Sequence, residues 1–143
     1  MSQQNFKNHA RYEPGFHFVA FPIAILTFIG SVYHLFGAWG TDTQYAAALL
    51  VATNLALCGA CFYGRLFALK AQDRVIHLEE TLRAQRLTGQ GLDSGLTMRQ
   101  IIGLRFASDT EWPELSQRAV SQGMSEKEIK QAIQNWRADT YRV

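Results

Sequence analysis

The sequence predicts an all-α membrane protein: a transmembrane helical hairpin whose second helix extends into the cytoplasm, followed by a small three-helix cytoplasmic tail domain. Two apolar stretches, residues 16–39 and 45–69, are each long enough for a helix to cross the ~30 Å hydrocarbon core of a bilayer. No Gly or Pro interrupts residues 65–88, so the second helix should continue past its apolar part. Beyond residue 96, repeated capping signals predict short helices.

Composition limits the classes of function. The chain has 143 residues, 48% of them hydrophobic, and a formal net charge of only +2. This balance lacks the basic footprint of a nucleic-acid-binding protein, so no nucleic-acid partner is expected. The only two cysteines, Cys58 and Cys61, both lie within the second apolar stretch, which excludes a framework of disulfides.

The N-terminal arm, residues 1–15, is polar and carries Lys7 and Arg11. Positive charge beside a first span keeps that flank in the cytoplasm. The following stretch, residues 16–39, is longer than the apolar region of a signal peptide and has no small-residue cleavage site after it. We therefore expect it to remain attached as transmembrane helix 1.

One face of this first span is small or polar, and the opposite face is bulky. We expect the small face to pack against protein and the bulky face to contact lipid. The residues of the small face are Ala20, Ala24, Thr27, Ser31 and His34.

The link between the two spans, residues 40–44, contains no Lys or Arg and is predicted to be an outer loop. Its shortness predicts a tight antiparallel hairpin. Basic residues Arg65, Lys70 and Arg74 stand at the end of the second span, residues 45–69, or follow it. The prediction is a multi-pass membrane protein with both termini in the cytoplasm.

The second span carries two special stripes. Small residues recur at every fourth position, at Ala48, Ala52, Ala56, Ala60 and Gly64, and we expect this ladder to pack on the first span near Thr27 and Ser31. A second stripe, nearly opposite, would then have no partner within the hairpin; it consists of Ala47, Asn54, Cys58, Cys61 and Arg65. Because a buried amide needs a hydrogen bond, we expect Asn54 to contact another subunit. The alternative is a bond within its own helix.

Residues 70–87 predict a juxtamembrane amphipathic helix. Its apolar stripe contains Ala71, Val75, Leu78 and Leu82, beside a favourable i,i+4 pair of Glu79 and Arg83. Such a stripe should pack either on the tail domain of its own chain or on the same helix of a neighbour. A glycine-rich linker, residues 88–96, is predicted to end the helix.

The tail domain, residues 97–143, contains three capping boxes, formed by Thr97 and Gln100, Ser108 and Glu111, and Ser125 and Glu128. They predict helices over residues 98–107, 110–122 and 126–140. A segment of ~45 residues rarely buries enough apolar surface to fold alone. We therefore expect these helices to pack on the second helix or on a partner.

Three sequence segments carry a resemblance to a known family. They are QNFKNHARY at residues 4–12, IGLRFASD at residues 102–109 and EIKQAIQNWRAD at residues 128–139. The chain resembles a bacterial family of small two-span membrane proteins of unknown function. The resemblance implies a membrane location and a helical cytoplasmic tail, and it brings no activity or site residue with it.

The sequence contains no catalytic triad, metal-spaced cluster or phosphate-binding loop, so we assign no catalytic, cofactor or metal residue. We expect a non-enzymatic structural or accessory subunit, partnered by the lipid bilayer and by other membrane subunits or by copies of itself. The expected helix-packing and interface residues are Thr27, Ser31, His34, Ala48, Ala52, Asn54, Ala56, Cys58, Ala60, Gly64, Val75, Leu78 and Leu82.

Two alternatives use other residues. A haem or redox membrane protein would use His17, His34, Cys58 and Cys61, but the histidines are on one span, so a bis-His site would need two chains. In a membrane-tethered DNA-binding regulator, the last helices would form a motif that loosely resembles a helix-turn-helix. Its phosphate contacts would be Lys127, Lys130 and Arg137, although balanced charge argues against it.

Overall fold

The structure, a computed structural model, describes residues 5–6 and 12–139 and is helical without strands over these residues. The all-α class is therefore confirmed. The helices are a π-helix at Gly15–Ala20, α1 at Phe21–Gly37, α2 at Gln44–Thr88, α3 at Met98–Leu104, α4 at Trp112–Ser121 and α5 at Glu126–Ala132. Lys7 and Arg11, which the topology prediction uses, lie outside the described residues.

The chain forms two compact units. We call residues 12–68 the apolar unit and residues 69–139 the C-terminal unit. α2 contributes its first part to the apolar unit and its last part to the C-terminal unit. Its 45 residues are helical without a break, which confirms the predicted continuation through Lys70. The helix ends where Gly89 adopts a positive φ of 75°, a conformation that glycine tolerates best.

The apolar unit begins with a turn of π-helix. The backbone N–H of Phe21 bonds to the carbonyl of Phe16, five residues back. Pro22 follows at once and has no N–H, so it cannot continue the bonding pattern of the preceding turn. The widened turn therefore ends at the proline, and α1 proceeds with regular bonding from Phe21.

α1 and the first part of α2 contact each other along one line of each helix. The buried and half-buried positions along this line are spaced alternately by three and four residues, which is the heptad spacing of two helices packed side by side. On α1 they are Phe21, Ala24, Phe28, Ser31, Leu35 and Ala38; on α2 they are Gln44, Ala47, Val51, Asn54, Cys58, Cys61, Arg65 and Ala68. The most buried members, Ala24, Ser31, Ala38 and Ala47, are all small.

Two helical segments, Gly15–Gly37 and Gln44–Thr88, are long and apolar enough to cross a membrane. Their large apolar side chains point away from the protein. Leu26 is 67% exposed, Tyr33 82% and Phe36 73%. In a core helix of a water-soluble protein, side chains of this size would be the ones buried.

The C-terminal unit has an ordinary apolar core. Leu104, Phe106 and Ile129 are fully buried, and Ala84 of α2 belongs to the same cluster. α3 and α5 approach closely at Gly103, where an added Cβ would lie 3.2 Å from the Ile129 side chain. The expectation that the short helices pack on the second helix is confirmed by this shared core.

The predicted bounds of the short helices are partly wrong. α3 stops at Leu104, not at 107, and α5 stops at Ala132, not at 140. Ile133 adopts an extended conformation, and Trp136 forms an antiparallel bridge with Ala107. The bridge bonds, Ser108 N–H to Asn135 O at 3.1 Å and Arg137 N–H to Phe106 O at 2.8 Å, replace helical ones.

Glu111 explains why α5 is short. Its carboxylate accepts hydrogen bonds from the backbone N–H of Asn135 at 2.9 Å and from the Asn135 amide at 2.6 Å. It is therefore not part of a capping box with Ser108, and no side-chain cap begins α4. The other two predicted boxes, beginning at Thr97 and at Ser125, are both present.

Candidate interaction faces and a buried charge network

The two stripes of the second span have the opposite roles to those predicted. Cys58 and Asn54 lie on the line that faces α1, and the Cys58 thiol donates to the Ala24 carbonyl at 3.3 Å. The ladder predicted to face α1 is exposed throughout; its members are Ala48, Ala52, Ala56, Ala60 and Gly64. That prediction is wrong, because a step of four residues turns about 40° past a full circle and so drifts off any one face.

Asn54 has its hydrogen bond within its own helix. Its amide Nδ2 donates to the Leu50 carbonyl at 2.9 Å. This is the local alternative, and the expectation that Asn54 has no hydrogen bond within the hairpin is wrong. Ser31 is also bonded locally, with its hydroxyl donating to Phe28 O at 2.7 Å. Ser31 and Asn54 are therefore each hydrogen-bonded within their own helix. The close contact between the helices comes from the small size of the buried residues.

Thr27 and His34 do not join the contact with α2. Both are exposed on α1. The Thr27 hydroxyl donates to the Ile23 carbonyl at 2.9 Å, one turn back in the same helix. Of the five residues on the predicted small face of the first span, the structure therefore buries only Ala24 and Ser31.

The apolar stripe of residues 70–87 is not covered by the part of its own chain that the structure describes. Val75 is 55% exposed, Leu78 60% and Leu82 58%. We call Ala71, Val75, Leu78 and Leu82 the outer stripe. The opposite side of α2 is the one that packs in the C-terminal unit, through Ile76, Glu80, Arg83 and Ala84. Of the two predicted partners, the tail domain of the same chain is thus excluded for the described residues.

Arg83 is the centre of a buried charge network. Its Nε donates to Asp109 Oδ1 at 2.8 Å and its Nη2 to the Ala107 carbonyl at 2.6 Å. Its Nη1 lies 3.3 Å from Glu80 Oε2, which also accepts the Trp112 indole N–H at 2.7 Å. The predicted partner, Glu79, is exposed and takes no part. The network fixes α2 to the loop before α4.

Burial and pairing shift the pKa values of Glu80 and Asp109 in opposite directions. Burial raises the pKa of Glu80, and the nearby Arg83 charge and the Trp112 hydrogen bond only partly offset this. The hydrogen bond from Arg83 lowers the pKa of Asp109, whose side chain is about half exposed. Arg86 adds a second, solvent-exposed ion pair to Asp109 at 2.9 Å.

A groove of about 510 Å³ lies beside this network in the C-terminal unit. Its lining residues are Glu79, Glu80, Leu82, Arg83, Arg86, Arg105, Arg137, Ala138 and Asp139. Arg105 stacks over the Phe106 ring at 4.7 Å and pairs with Asp139 at 3.2 Å, and burial lowers its pKa. Arginines and carboxylates nearly balance here, so the groove does not select ligands of one sign.

The residues of the haem or redox alternative are scattered. His17 is half-buried near the start of the π-helix, with Nδ1 3.0 Å from the Glu13 carbonyl, whereas His34 is exposed. Cys58 and Cys61 are free thiols on the line that faces α1. Among the described residues, no three His, Cys, Asp or Glu side chains form a group that could hold a metal.

The residues of the DNA-binding alternative are not all available. Lys130 is only 8% exposed; its Nζ lies 2.6 Å from Glu126 Oε1 and 5.2 Å from the Phe106 ring centroid. Burial alone would raise the pKa of Glu126, but the bonds from Lys130 and Arg99 more than offset it and lower that pKa. Lys130 is therefore buried and is not available for the phosphate contact that this alternative would give it.

One comparison with known proteins gives a match. A family described as "Family of unknown function (DUF6526)" matches residues 1–143. Neither the curated proteins nor the solved structures contain a match to this chain.

Proposed function

The chain belongs to DUF6526, a family of unknown function, and from that premise we propose that it is a two-span membrane hairpin acting as a non-enzymatic structural subunit. In this proposal both termini lie in the cytoplasm of a bacterial cell and the spans cross its inner membrane. The subunit associates with other membrane proteins or with copies of itself.

The observation that carries the proposal is the outer stripe. Val75, Leu78 and Leu82 are more than half exposed in a part of α2 that also bears Lys70, Arg74 and Glu79. Charged side chains of this density favour an aqueous location, where lipid cannot cover the apolar residues. A contiguous apolar stripe exposed to water is typical of a protein interaction site.

The apolar unit supports the membrane part of the proposal. The most buried residues of its helix contact are small, while many of its large apolar residues face outward. Small residues at the contact and large ones outside are typical of helices packed within lipid. The charges support the orientation, since Arg65, Lys70 and Arg74 follow the second span and residues 40–44 carry no Lys or Arg.

Topology is tested by fusion reporters in a bacterial host. We expect reporters placed before Ser2 and after Val143 to report the cytoplasm, and a tag inserted at Asp42 to be accessible from outside. An external reporter after Val143 would overturn the hairpin.

The subunit role is tested by the size of the protein in mild detergent. We expect the wild type to be larger than a monomer, and Leu78→Glu to reduce that size, because a charge in the outer stripe opposes burial there. The matched control is His77→Glu, which adds the same charge at the adjacent, exposed position. A wild type that runs as a lone monomer contradicts the proposal.

A further inference from the structure

The outer stripe has the spacing of a coiled-coil seam. Ala71, Val75, Leu78 and Leu82 follow one another by four, three and four residues. This is the heptad pattern, with Val75 and Leu82 at a positions and Ala71 and Leu78 at d positions. The four side chains lie on one face of the helix and are exposed. They could therefore form one half of a coiled-coil contact with a second helix.

The rest of α2 in the C-terminal unit agrees with this assignment. Positions b, c and f point away from a heptad seam, and here they include Ile76, Glu80, Arg83 and Ala84. All four are buried in their own chain. The helix therefore has one face fixed by its own unit and the other face free for a partner.

Charges beside the seam identify the partner. Arg74 occupies a g position and Glu79 the following e position, and both side chains are exposed. In a parallel two-stranded coiled coil, the g residue of one helix meets the next e residue of the other. Two identical parallel helices would thus form two symmetric Arg–Glu ion pairs. Within one chain, residues five apart are not neighbours on a helix, so Arg74 and Glu79 of the same helix do not form an ion pair with each other.

We propose that a second copy of this chain packs on the outer stripe as a parallel coiled coil, with Arg74 of each copy paired to Glu79 of the other. This inference rests on the proposed function, because a shared orientation in the membrane makes the two helices parallel. The seam residues agree with two strands, since β-branched Val75 at a and Leu78 at d favour a dimer.

The seam covers only about two heptads, which is short for a coiled coil in free solution. Membrane anchoring compensates, because two chains held in one bilayer meet at a high effective concentration. The dimer contact is therefore a property of the full chain in its membrane, and the experiments use the full chain.

The first experiment exchanges the charges and measures dimer yield by chemical cross-linking in native membranes. Arg74→Glu and Glu79→Arg each replace two attractions by two repulsions, and we expect each to lower the yield about threefold to tenfold. The double variant Arg74→Glu/Glu79→Arg restores opposite charges across the seam. We expect it to recover to within about twofold of the wild type. A double variant no better than the single variants overturns the pairing.

The second experiment locates the seam with disulfides, in a Cys58→Ser/Cys61→Ser background. A disulfide needs Cα atoms within about 7 Å, which a d position of a parallel coiled coil provides and a c position does not. Under mild oxidation we expect Leu78→Cys to give a product of twice the chain mass. His77→Cys, exposed but turned away from the seam, should give at least about fivefold less.

The outcomes separate this inference from the proposed function. If Leu78→Cys forms an adduct of another mass and no product of twice the chain mass, a different subunit occupies the stripe; the structural role stands and the second copy is rejected. If Leu78→Cys and His77→Cys give equal dimer yields, the contact is random collision and the seam is rejected. If neither forms any adduct and the wild type is monomeric in mild detergent, both proposals fail.

Discussion

In the apolar unit the fully buried side chains are small, at Ala24, Ala38 and Ala47, and large residues such as Phe36 face outward. In the C-terminal unit the fully buried side chains include large ones, at Leu104, Phe106 and Ile129, together with small ones such as Ala84 and Ala119. Both units are packed helices, so the helix contacts themselves do not explain the difference. The proposed membrane location accounts for the difference: water drives large apolar groups inward, whereas lipid would remove that drive and leave close backbone packing as the main gain.

The largest difference in stability should appear when a phenylalanine side chain is removed from each of the two units. Phe106→Ala empties a fully buried site and should destabilise the C-terminal unit by about 3–5 kcal/mol. Phe36→Ala, where Phe36 is 73% exposed, should leave that stability unchanged within about 0.5 kcal/mol. Denaturant unfolding in detergent, followed by tryptophan fluorescence, measures both. Equal losses would mean that the two units do not differ in this way.

The next effect compares two arginines that share one partner. Arg83→Ala removes the arginine donor to the Ala107 carbonyl and the cationic partner of buried Glu80, which keeps its bond from Trp112, and should cost about 3 kcal/mol. Arg86→Ala removes an exposed ion pair to the same Asp109 and should cost no more than about 0.5 kcal/mol. The same unfolding assay applies. Similar costs for both would show that burial does not set the value of these pairs.

A smaller effect distinguishes the two stripes of the second span in the apolar unit. Ala47 is 2% exposed, and Ala47→Leu should cost about 1–3 kcal/mol by overpacking the contact with α1. Ala48→Leu changes the neighbouring, exposed member of the ladder and should be nearly neutral. Unfolding by SDS titration in mixed micelles compares them. The reverse order would restore the ladder as the packing face.

The smallest effect is a pH dependence at Asp109. Because Arg83 lowers its pKa in the folded state, ionised Asp109 stabilises the fold above the unfolded pKa of about 3.9, and this is lost as pH falls through the folded pKa. Asp109→Asn should therefore cost about 1 kcal/mol near pH 7, a modest value because the side chain is half exposed. The difference between wild type and variant should narrow below about pH 4 in acid unfolding curves. A difference that is constant from pH 7 to pH 3 would rule out this linkage.

Local signals in the sequence were sufficient for much of the fold. The absence of a helix breaker predicts the full length of α2, and the boxes at Thr97 and Ser125 predict the starts of α3 and α5. Two predictions failed because of one contact between distant residues. They are the capping box of Ser108 with Glu111 and the end of α5 at residue 140. Glu111 binds Asn135 and ends α5 early, although residues 133–140 have reasonable helix propensity.

The packing face of the second span was predictable in principle. A heptad line through Ala47, Asn54, Cys58 and Cys61 stays on one side of a helix. The ladder with its four-residue repeat moves around the helix, so only the heptad line can stay in contact with a straight neighbouring helix. The network around Arg83 was not predictable, because Glu80 and Asp109 are brought together by the fold. The outer stripe, by contrast, is exposed as an apolar seam just where the sequence pattern places it.

The central claim is that the outward apolar side chains of the first unit are covered by lipid. Spin labels at Leu26→Cys and His77→Cys, each in a Cys58→Ser/Cys61→Ser background, test it in reconstituted bilayers through collision with oxygen or with a polar nickel complex. The account predicts that the label at Leu26, 67% exposed, collides with oxygen and not with nickel, while the label at His77 collides with nickel. Nickel accessibility at Leu26 equal to that at His77 would contradict the account.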